Sequence, residues 1–144
     1  MTLHLDRIDA ELSDVHSDIG GNIYLQIGQD YFPEADWYDY ASLILEQWIP
    51  GLISFAGNST NACKLRFYDG PCYALLCRTE DSVVTVKCFY GRKIVIEETL
   101  IDFPSFVKSV VKAGNRFCRM LHLQGREHES ITSALRNLKS TIKD

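Results

Sequence analysis

The sequence predicts an α+β fold in which helices pack on one twisted antiparallel sheet of about six strands, in the order ββαββββαα. Short runs of alternating apolar and polar residues indicate the strands, and four of these runs follow one another through tight turns. Longer segments with apolar residues three and four positions apart indicate the helices. A chain of 144 residues is the usual size of one domain, so residues 1–144 are expected to form a single α+β domain.

The first two strands are predicted on either side of Gly20-Gly21, which breaks the chain. Leu3 and Leu5 alternate as in a strand, and a strand is the favoured interpretation of the N-terminus, although residues 8–19 also contain apolar side chains at helical spacing. Together the two strands would form an opening hairpin with a long connection. The second strand is indicated by the clean alternation of Ile23, Leu25 and Ile27.

A helix is predicted over about residues 35–56. Pro33 suits the start of a helix, and Glu34 and Asp36 in the first turn would complement the helix dipole. Pro50-Gly51 predicts a kink or the end of the helix, with a further turn before residues 57–59 close it. The apolar stripe of this helix consists of Trp37, Tyr40, Ala41, Ile44, Leu45 and Trp48.

Four short alternating runs follow, joined by turns at residues 69–71, 80–82 and 91–92, and they predict an antiparallel meander. A second long helix is predicted to begin at residues 102–105 and to end at Gly125, and a final helix is predicted over about residues 128–142. The four runs are Ala62–Tyr68, Cys72–Arg78, Val83–Tyr90 and Lys93–Leu100.

Charge is distributed unevenly along the chain. Residues 1–60 contain ten acidic residues and one base, Arg7, whereas residues 61–144 contain nine acidic and fourteen basic residues, so the net charge of −4 hides local charges of −9 and +5. An acidic region can speed the encounter with a basic partner and select for it. Two alternative roles for the acidic residues stay open: they keep the surface soluble, or the basic half of the chain neutralises them within the fold.

The composition also predicts where the protein resides. No apolar run reaches the roughly 18 residues that a membrane helix needs, and the acidic N-terminus lacks the basic and apolar regions of a secretory signal. The five cysteines are an odd number, and four of them lie inside apolar strand-like runs, where free cysteine behaves as a small hydrophobe. These features predict a cytoplasmic protein with no membrane association.

Groups that could carry catalysis or bind a metal are sparse. None of the four histidines lies beside a serine or cysteine in a triad pattern. Cys118 and His122 could share a helix face, but no second ligand pair completes a zinc site. The Glu97-Glu98 pair could do acid–base chemistry only in a buried pocket, and a solvated strand edge is the favoured position. The sequence therefore predicts no catalytic residue, no metal and no cofactor, and a protein that is not an enzyme.

Basic residues on the second long helix raise nucleic-acid binding as an alternative. Lys108, Lys112, Arg116 and Arg119 occupy this helix, and further bases lie on the predicted strands. The chain as a whole is acidic, whereas a domain that binds phosphates usually presents a net basic surface. Direct binding of nucleic acid is therefore not expected.

Residues 30–46 form the predicted partner-binding region, because acidic and aromatic residues are interleaved there. Aromatic residues are enriched at protein interfaces. Tyr31 and Tyr38 are expected to be exposed, whereas Trp37, Tyr40 and Trp48 are expected in the core. The predicted partner-binding residues are Asp30, Tyr31, Glu34, Asp36, Tyr38, Asp39 and Glu46.

Two motifs of the chain resemble a pattern found in small bacterial proteins. The first runs from Ile23-Tyr24-Leu25 through Tyr31-Phe32-Pro33 and Trp37-Tyr38-Asp39-Tyr40 to Ile44-Leu45-Glu46-Gln47-Trp48, and the second is Leu65-Arg66-Phe67-Tyr68-Asp69-Gly70-Pro71. The chain is similar here, over about residues 22–122, to the immunity proteins of bacterial polymorphic-toxin and contact-dependent growth inhibition systems. The resemblance carries no functional residue of that family over to this chain.

The resemblance implies a small, non-catalytic cytosolic protein that binds one toxin C-terminal domain, often a basic nuclease, and blocks its active site or substrate surface. An acidic face suits such a partner. Two further classes stay open: an acidic module like a type III secretion chaperone, which would be a dimer, and a small enzyme or ligand-binding domain, which would need a pocket with convergent polar groups. The oligomeric state is not determined by the sequence.

Overall fold

The strands of the computed structural model, which describes residues 1–8 and 19–142, form two antiparallel sheets instead of the single sheet predicted. The order of elements is ββββαββββαα. Sheet A contains β1 (Thr2–Ile8), β2 (Gly20–Ile27), β3 (Asp30–Phe32) and β4 (Tyr38–Tyr40). Sheet B contains β5 (Ala62–Arg66), β6 (Cys72–Arg78), β7 (Val84–Tyr90) and β8 (Lys93–Ile101). The helices are α1 (Ala41–Ala56), α2 (Phe103–Leu123) and α3 (Glu129–Ser140).

β2 is the central strand of sheet A. β1 pairs with it along one side, which confirms the strand at the N-terminus as far as Ile8, while the remainder of the predicted connection lies outside the described residues. On the other side β3 and β4 lie end to end, β3 against the C-terminal half of β2 and β4 against its N-terminal half. Residues 33–37 interrupt what would otherwise be one strand.

The prediction that the first helix begins at residue 35 is wrong, because this stretch completes sheet A. Asp36 has a φ of 59°, outside the helical region, and residues 38–40 then pair with β2. Glu34 and Asp36 therefore do not complement a helix dipole. Tyr40, which was expected in the core, is 46% exposed.

α1 begins at Ala41 and is fixed to the start of β2. The Ser42 hydroxyl accepts a hydrogen bond from the Ile19 main-chain N at 2.7 Å, and the Ser42 main-chain N donates to the Ile19 carbonyl at 3.2 Å. The helix continues through Pro50 to Ala56 and is followed by Gly57, so the predicted C-terminus is confirmed and an end at Pro50 is wrong. Its buried face includes Ile44, Leu45, Trp48, Leu52 and Phe55.

Sheet B is the predicted meander, with strands in the order β5-β6-β7-β8. Its inner face is apolar, as the alternation predicted, and Leu65, Ala74 and Val86 are fully buried there. β8 lies at the edge of the sheet and most of its residues are exposed. Both C-terminal helices are also confirmed. The Asp102 carboxylate caps α2 by accepting from the Ser105 main-chain N at 3.1 Å, at the position where the sequence predicts the start of this helix.

The two sheets and three helices share one hydrophobic core. α2 lies along the outer edge of β1, where the Leu3 main-chain N donates to the Ser109 hydroxyl at 2.9 Å. Cys63 and Cys88 are buried thiols in this core, and burial raises their pKa values to about 11 and about 12. Within the described part of the chain, none of the helices combines the length and apolar character needed to span a membrane.

We expect Gly21→Ala to destabilise the protein more than Gly20→Ala. A Cβ at Gly21 would overlap the main-chain carbonyl of Arg7, which cannot move without disturbing the pairing of β1 with β2. A Cβ at Gly20 would overlap only the hydroxyl end of the half-exposed Tyr38 side chain, which can rotate. Urea denaturation should show a loss of ~1–3 kcal/mol for Gly21→Ala, the usual cost of forced overpacking, and a clearly smaller loss for Gly20→Ala. Equal losses would exclude the overlap with Arg7 as the cause.

Candidate functional site

β2 divides its side chains between the core and the opposite face of sheet A. Ile23 and Leu25 are fully buried on the core side. Asn22, Tyr24 and Gln26 occupy the alternate positions and therefore lie on the opposite face. Because β1 and β3 pair with β2 in register, they add His4 and Tyr31 to the same face, opposite Tyr24 and Gln26 respectively.

Tyr24 is the centre of this face. Its hydroxyl donates a short hydrogen bond to the Asp6 carboxylate. The ring of His4 stacks on it with centroids 5.1 Å apart, and Tyr31 meets it edge to face at 5.9 Å. His4 Nε2 also lies 2.8 Å from Gln26 Oε1. These neighbours leave Tyr24 only 7% exposed although it lies on the outer side of the sheet.

The pKa of Tyr24 is raised well above its ordinary value. The main cause is the hydrogen bond to the Asp6 carboxylate, which would be lost on ionisation, followed by burial and then by the negative charges of Asp6 and Asp36. Tyr24 therefore stays protonated at physiological pH and serves as a donor that holds Asp6 in place.

Tyr38 and Asp36 extend the same face along the interrupted edge of sheet A. Tyr38 pairs with Asn22 and covers Gly20, and the Asn22 side-chain amide donates to the Asp36 carbonyl at 2.7 Å. Both Tyr31 and Tyr38 are exposed, at 45% and 38%. We call this surface the tyrosine face, and it consists of Asp6, Tyr24, Tyr31, Asp36 and Tyr38.

Five of the seven residues predicted to bind a partner are exposed on or beside this face. Tyr31, Asp36 and Tyr38 belong to it, Asp30 begins β3, and Glu34 lies in the exposed loop between β3 and β4. The two remaining predictions, Asp39 and Glu46, occupy different environments.

Asp39 is 2% exposed, so its prediction as a partner contact is wrong. Its carboxylate accepts hydrogen bonds from the indole Nε1 of Trp37 at 2.9 Å and from the main-chain N of Tyr40 at 2.7 Å. It also accepts from the main-chain N atoms of Tyr68 at 3.0 Å and Asp69 at 3.1 Å, in the turn after β5. A carboxylate that accepts several N–H groups is a stable buried anion, so Asp39 joins sheet A to sheet B.

Glu46 lies on α1, away from the tyrosine face. Its Oε1 is 2.7 Å from Nε2 of His128, the residue before α3. This contact ties the start of α3 to α1. The structure therefore does not bring Glu46 together with the other predicted residues.

A cleft of about 450 Å³ borders the tyrosine face at its β3 end. One wall is formed by residues 30–33, and the other by Val95, Ile96, Glu97 and Thr99 of β8. The cleft thus brings an edge of sheet A against the edge strand of sheet B. Its two charged lining residues among those described, Asp30 and Glu97, are both acidic.

The acidic and basic halves of the chain do not neutralise each other by direct pairing around this site. No described carboxylate of sheet A forms an ion pair with a described lysine or arginine. The ion pairs shown by residues 1–8 and 19–142 are His122–Glu127 at 2.6 Å and His128–Glu46. Bases of the second half pack on aromatic rings, with Lys64 Nζ 4.2 Å from the centre of the Tyr73 ring. Two arginines nevertheless lie near the tyrosine face, because Arg7 pairs with Asn22 across β1 and β2 and Arg116 of α2 donates to the Asp6 main-chain carbonyl at 3.2 Å.

Sequence reasoning missed Asp6, His4 and Tyr24 as parts of this surface. The alternation of apolar and polar residues in β1 and β2 could have predicted them, because it defines the residues of the opposite face as well as those of the core. The β8 wall of the cleft had no comparable signal, because only the packing of the two sheets brings residues 95–99 near residues 30–33. The Glu97-Glu98 pair was expected at a solvated strand edge, and both residues are indeed exposed on β8.

The arrangement is suited to binding through shape, aromatic contact and negative charge. Among the described residues, no group of three or more histidine, cysteine, aspartate or glutamate side chains is placed to hold a metal ion. Cys118 accepts a hydrogen bond from the Thr132 hydroxyl at 3.5 Å, while His122 pairs with Glu127, so these two engage separate neighbours.

Comparisons of the chain with protein-family models, curated proteins and solved structures found no match.

We expect Asp39→Asn to destabilise the fold by about 2–3 kcal/mol, the range for hydrogen bonds to a charged group. The substituted amide nitrogen would face main-chain N–H donors and could accept from none of them. Chemical denaturation measures the loss, and Asp36→Asn is the matched control because the Asp36 side chain is exposed. A similar small change for both variants would remove Asp39 from its role as the link between the sheets.

Proposed function

We propose that this chain is an immunity-type protein that binds a cognate bacterial toxin domain, with basic nucleases the favoured class, and neutralises it by stoichiometric occlusion in the cytoplasm. The observation that carries the proposal is the tyrosine face, an exposed surface in which tyrosine rings lie among carboxylates that form no ion pair with a described lysine or arginine. The protein would act without a metal or cofactor, and without binding nucleic acid or a membrane itself.

The proposed mechanism follows from the chemistry of such a surface. A nuclease domain needs positive charge where it holds phosphates, and an acidic surface competes for those charges. Long-range attraction would raise the rate of encounter, and the tyrosine rings would supply rigid contact area once the surfaces meet. Occlusion requires one protein per toxin domain and no chemical step.

The hydrogen bond and ring contacts around Tyr24 support a binding role over a catalytic one. Tyr24 is held by Asp6 and by ring contacts on two sides, which fixes the positions of the surrounding side chains before any partner arrives. A preorganised surface loses less conformational entropy on binding. Asp39, the most buried carboxylate of sheet A, already accepts hydrogen bonds from its neighbours and is not aimed into a cavity.

One observation favours the second candidate, an acidic module like a type III secretion chaperone. Sheet B exposes apolar and aromatic side chains on β8 and at the end of β7: Val95 and Leu100 of β8 are 46% and 70% exposed, and Tyr90 of β7 is 57% exposed. A chaperone of this kind would be expected to dimerise through a hydrophobic helix or strand. Analytical ultracentrifugation distinguishes the two, because the chaperone should sediment as a dimer and the proposed immunity protein as a monomer that pairs only with its toxin.

The direct test uses the toxin domain encoded beside this chain. We expect the two purified proteins to form a 1:1 complex by size-exclusion chromatography with light scattering. The activity of the toxin domain should fall linearly and vanish at one equivalent of this protein. Absence of a complex would end the proposal.

A charge-reversal experiment tests whether the tyrosine face is the interface. Asp36→Lys should slow association with the toxin domain by roughly tenfold at low ionic strength and much less at 0.5 M salt, since exposed charges are screened within ~10 Å at 0.1 M salt. Asp81→Lys is the matched control, because Asp81 is equally exposed but lies in the turn between β6 and β7. Stopped-flow fluorescence gives both rates, and equal effects of the two variants would exclude the face.

A further inference from the structure

β8 departs from regular strand geometry next to the cleft. Its nine residues lie along the seven residues of β7, and six residues of each strand are paired. Phe89 pairs with Ile94 and Cys88 with Ile96, which leaves Val95 as an extra residue. A second irregularity falls at Glu97 and Glu98, which together span the position opposite Lys87. Bulges bend a strand, redirect its side chains and occur preferentially beside functional sites.

Both irregular positions lie at the cleft. Val95, Ile96 and Glu97 line it from the β8 side, and the Thr99 hydroxyl donates to the Glu97 carbonyl at 2.8 Å, which holds the bulged segment. Asp30, Tyr31, Phe32 and Pro33 line it from the other side. The cleft therefore combines apolar residues with one acidic residue from each sheet and with Tyr31, at its border with the tyrosine face.

We propose that this cleft receives an arginine side chain from the basic partner. The inference rests on the proposed function and names one contact that would hold the partner on this protein. The methylene stem of an arginine would pack against the apolar residues of the cleft, such as Val95 and Ile96. Its guanidinium would lie near the carboxylates of Asp30 and Glu97 and close to Tyr31, an aromatic partner for a cation.

Charge and backbone geometry favour this occupant over a second copy of the chain. None of the described residues that line the cleft is basic, whereas two of them, Asp30 and Glu97, are acidic, which favours a cation as the occupant. A second copy would most simply pair its own β8 with this one, edge to edge. Two irregularities in β8 disrupt the regular row of main-chain groups that such pairing needs.

The probe is a nine-residue peptide containing three arginines, compared with the same peptide in which citrulline, a neutral isostere, replaces each arginine. Titration into ¹⁵N-labelled protein should shift the amide signals of residues 30–32 and 95–99 with the arginine peptide and leave them unchanged with the citrulline peptide. Glu97→Gln should weaken binding of the arginine peptide by roughly tenfold, within the range for close interfacial charge pairs. Glu80→Gln, at an exposed turn, is the matched control.

Val95→Arg supplies a second variant that does not depend on carboxylate chemistry. Val95 is 46% exposed, so an arginine can be accommodated without disturbing the core, and it would occupy the cleft from within. We expect this variant to keep the thermal unfolding midpoint of the parent protein and to lose binding of the arginine peptide. Shifts confined to other parts of the protein, or equal binding by Val95→Arg, would overturn the cleft as the arginine site.

The toxin domain separates failure of this inference from failure of the proposed function. If the parent protein binds the toxin domain and Val95→Arg binds it equally well, the cleft inference is wrong while the proposed function stands. If the parent protein does not bind the toxin domain, the proposed function is wrong, and the peptide titration still decides whether the cleft accepts arginine. A parent dimer that Val95→Arg converts to a monomer would assign the cleft to a second copy and overturn the inference.

Discussion

The Asp39 carboxylate receives hydrogen bonds from main-chain N–H groups that lie 29 and 30 residues further along the chain. The same carboxylate accepts hydrogen bonds from Trp37 and Tyr40, which hold residues 37–40 in place where sheet A ends and α1 begins. A buried anion without such donors would be very costly, and the turn after β5 stabilises Asp39 by supplying two of them. This contact fixes the position of sheet B relative to sheet A.

Other parts of the two resembling motifs converge on the same junction. The indole of Trp48 donates to the Arg66 carbonyl at 2.8 Å, and the Phe67 ring packs edge to face on both Trp48 and Phe32. The motifs therefore consist largely of residues that hold the sheets together. The residues on which the predicted resemblance to immunity proteins rests are thus largely architectural, and the proposed binding surface lies beside them.

The junction also explains why a binding surface can exist on sheet A. Because α1 and sheet B cover the core side, the opposite face of β2 is left to polar and aromatic residues. Tyr31 lies in β3, before the interruption between β3 and β4, whereas Asp36 and Tyr38 lie at the end of the interruption. All three are therefore exposed along the same irregular edge of sheet A. Of the described acidic residues in the first half of the chain, Asp6 and Asp36 are thereby placed among aromatic rings on one surface.

Much of the fold could be predicted from local patterns. The meander of sheet B, the strand through Leu25, the cap at Asp102 and the position of α3 all follow from periodicity and turn chemistry, which depend on neighbours in sequence. The start of α1 could not, because Trp37, Tyr40 and Ile44 have helical spacing and only pairing with β2 makes residues 38–40 a strand. Exposure of Tyr31 and Tyr38 was predicted correctly, whereas the acidic residue types of Asp39 and Glu46 gave no indication of their buried or paired environments.

The sequence by itself determined an α+β chain with an acidic first half, its helices and strands, and an aromatic, acidic segment at residues 30–40. Tertiary structure alone decided that the strands divide into two sheets, that Asp39 is internal, and that β8 forms the second wall of the cleft. The physical reason is that periodicity reports which face of an element is apolar, whereas a hydrogen bond across 30 residues, or a cleft between two sheet edges, depends on where the whole chain brings those faces together.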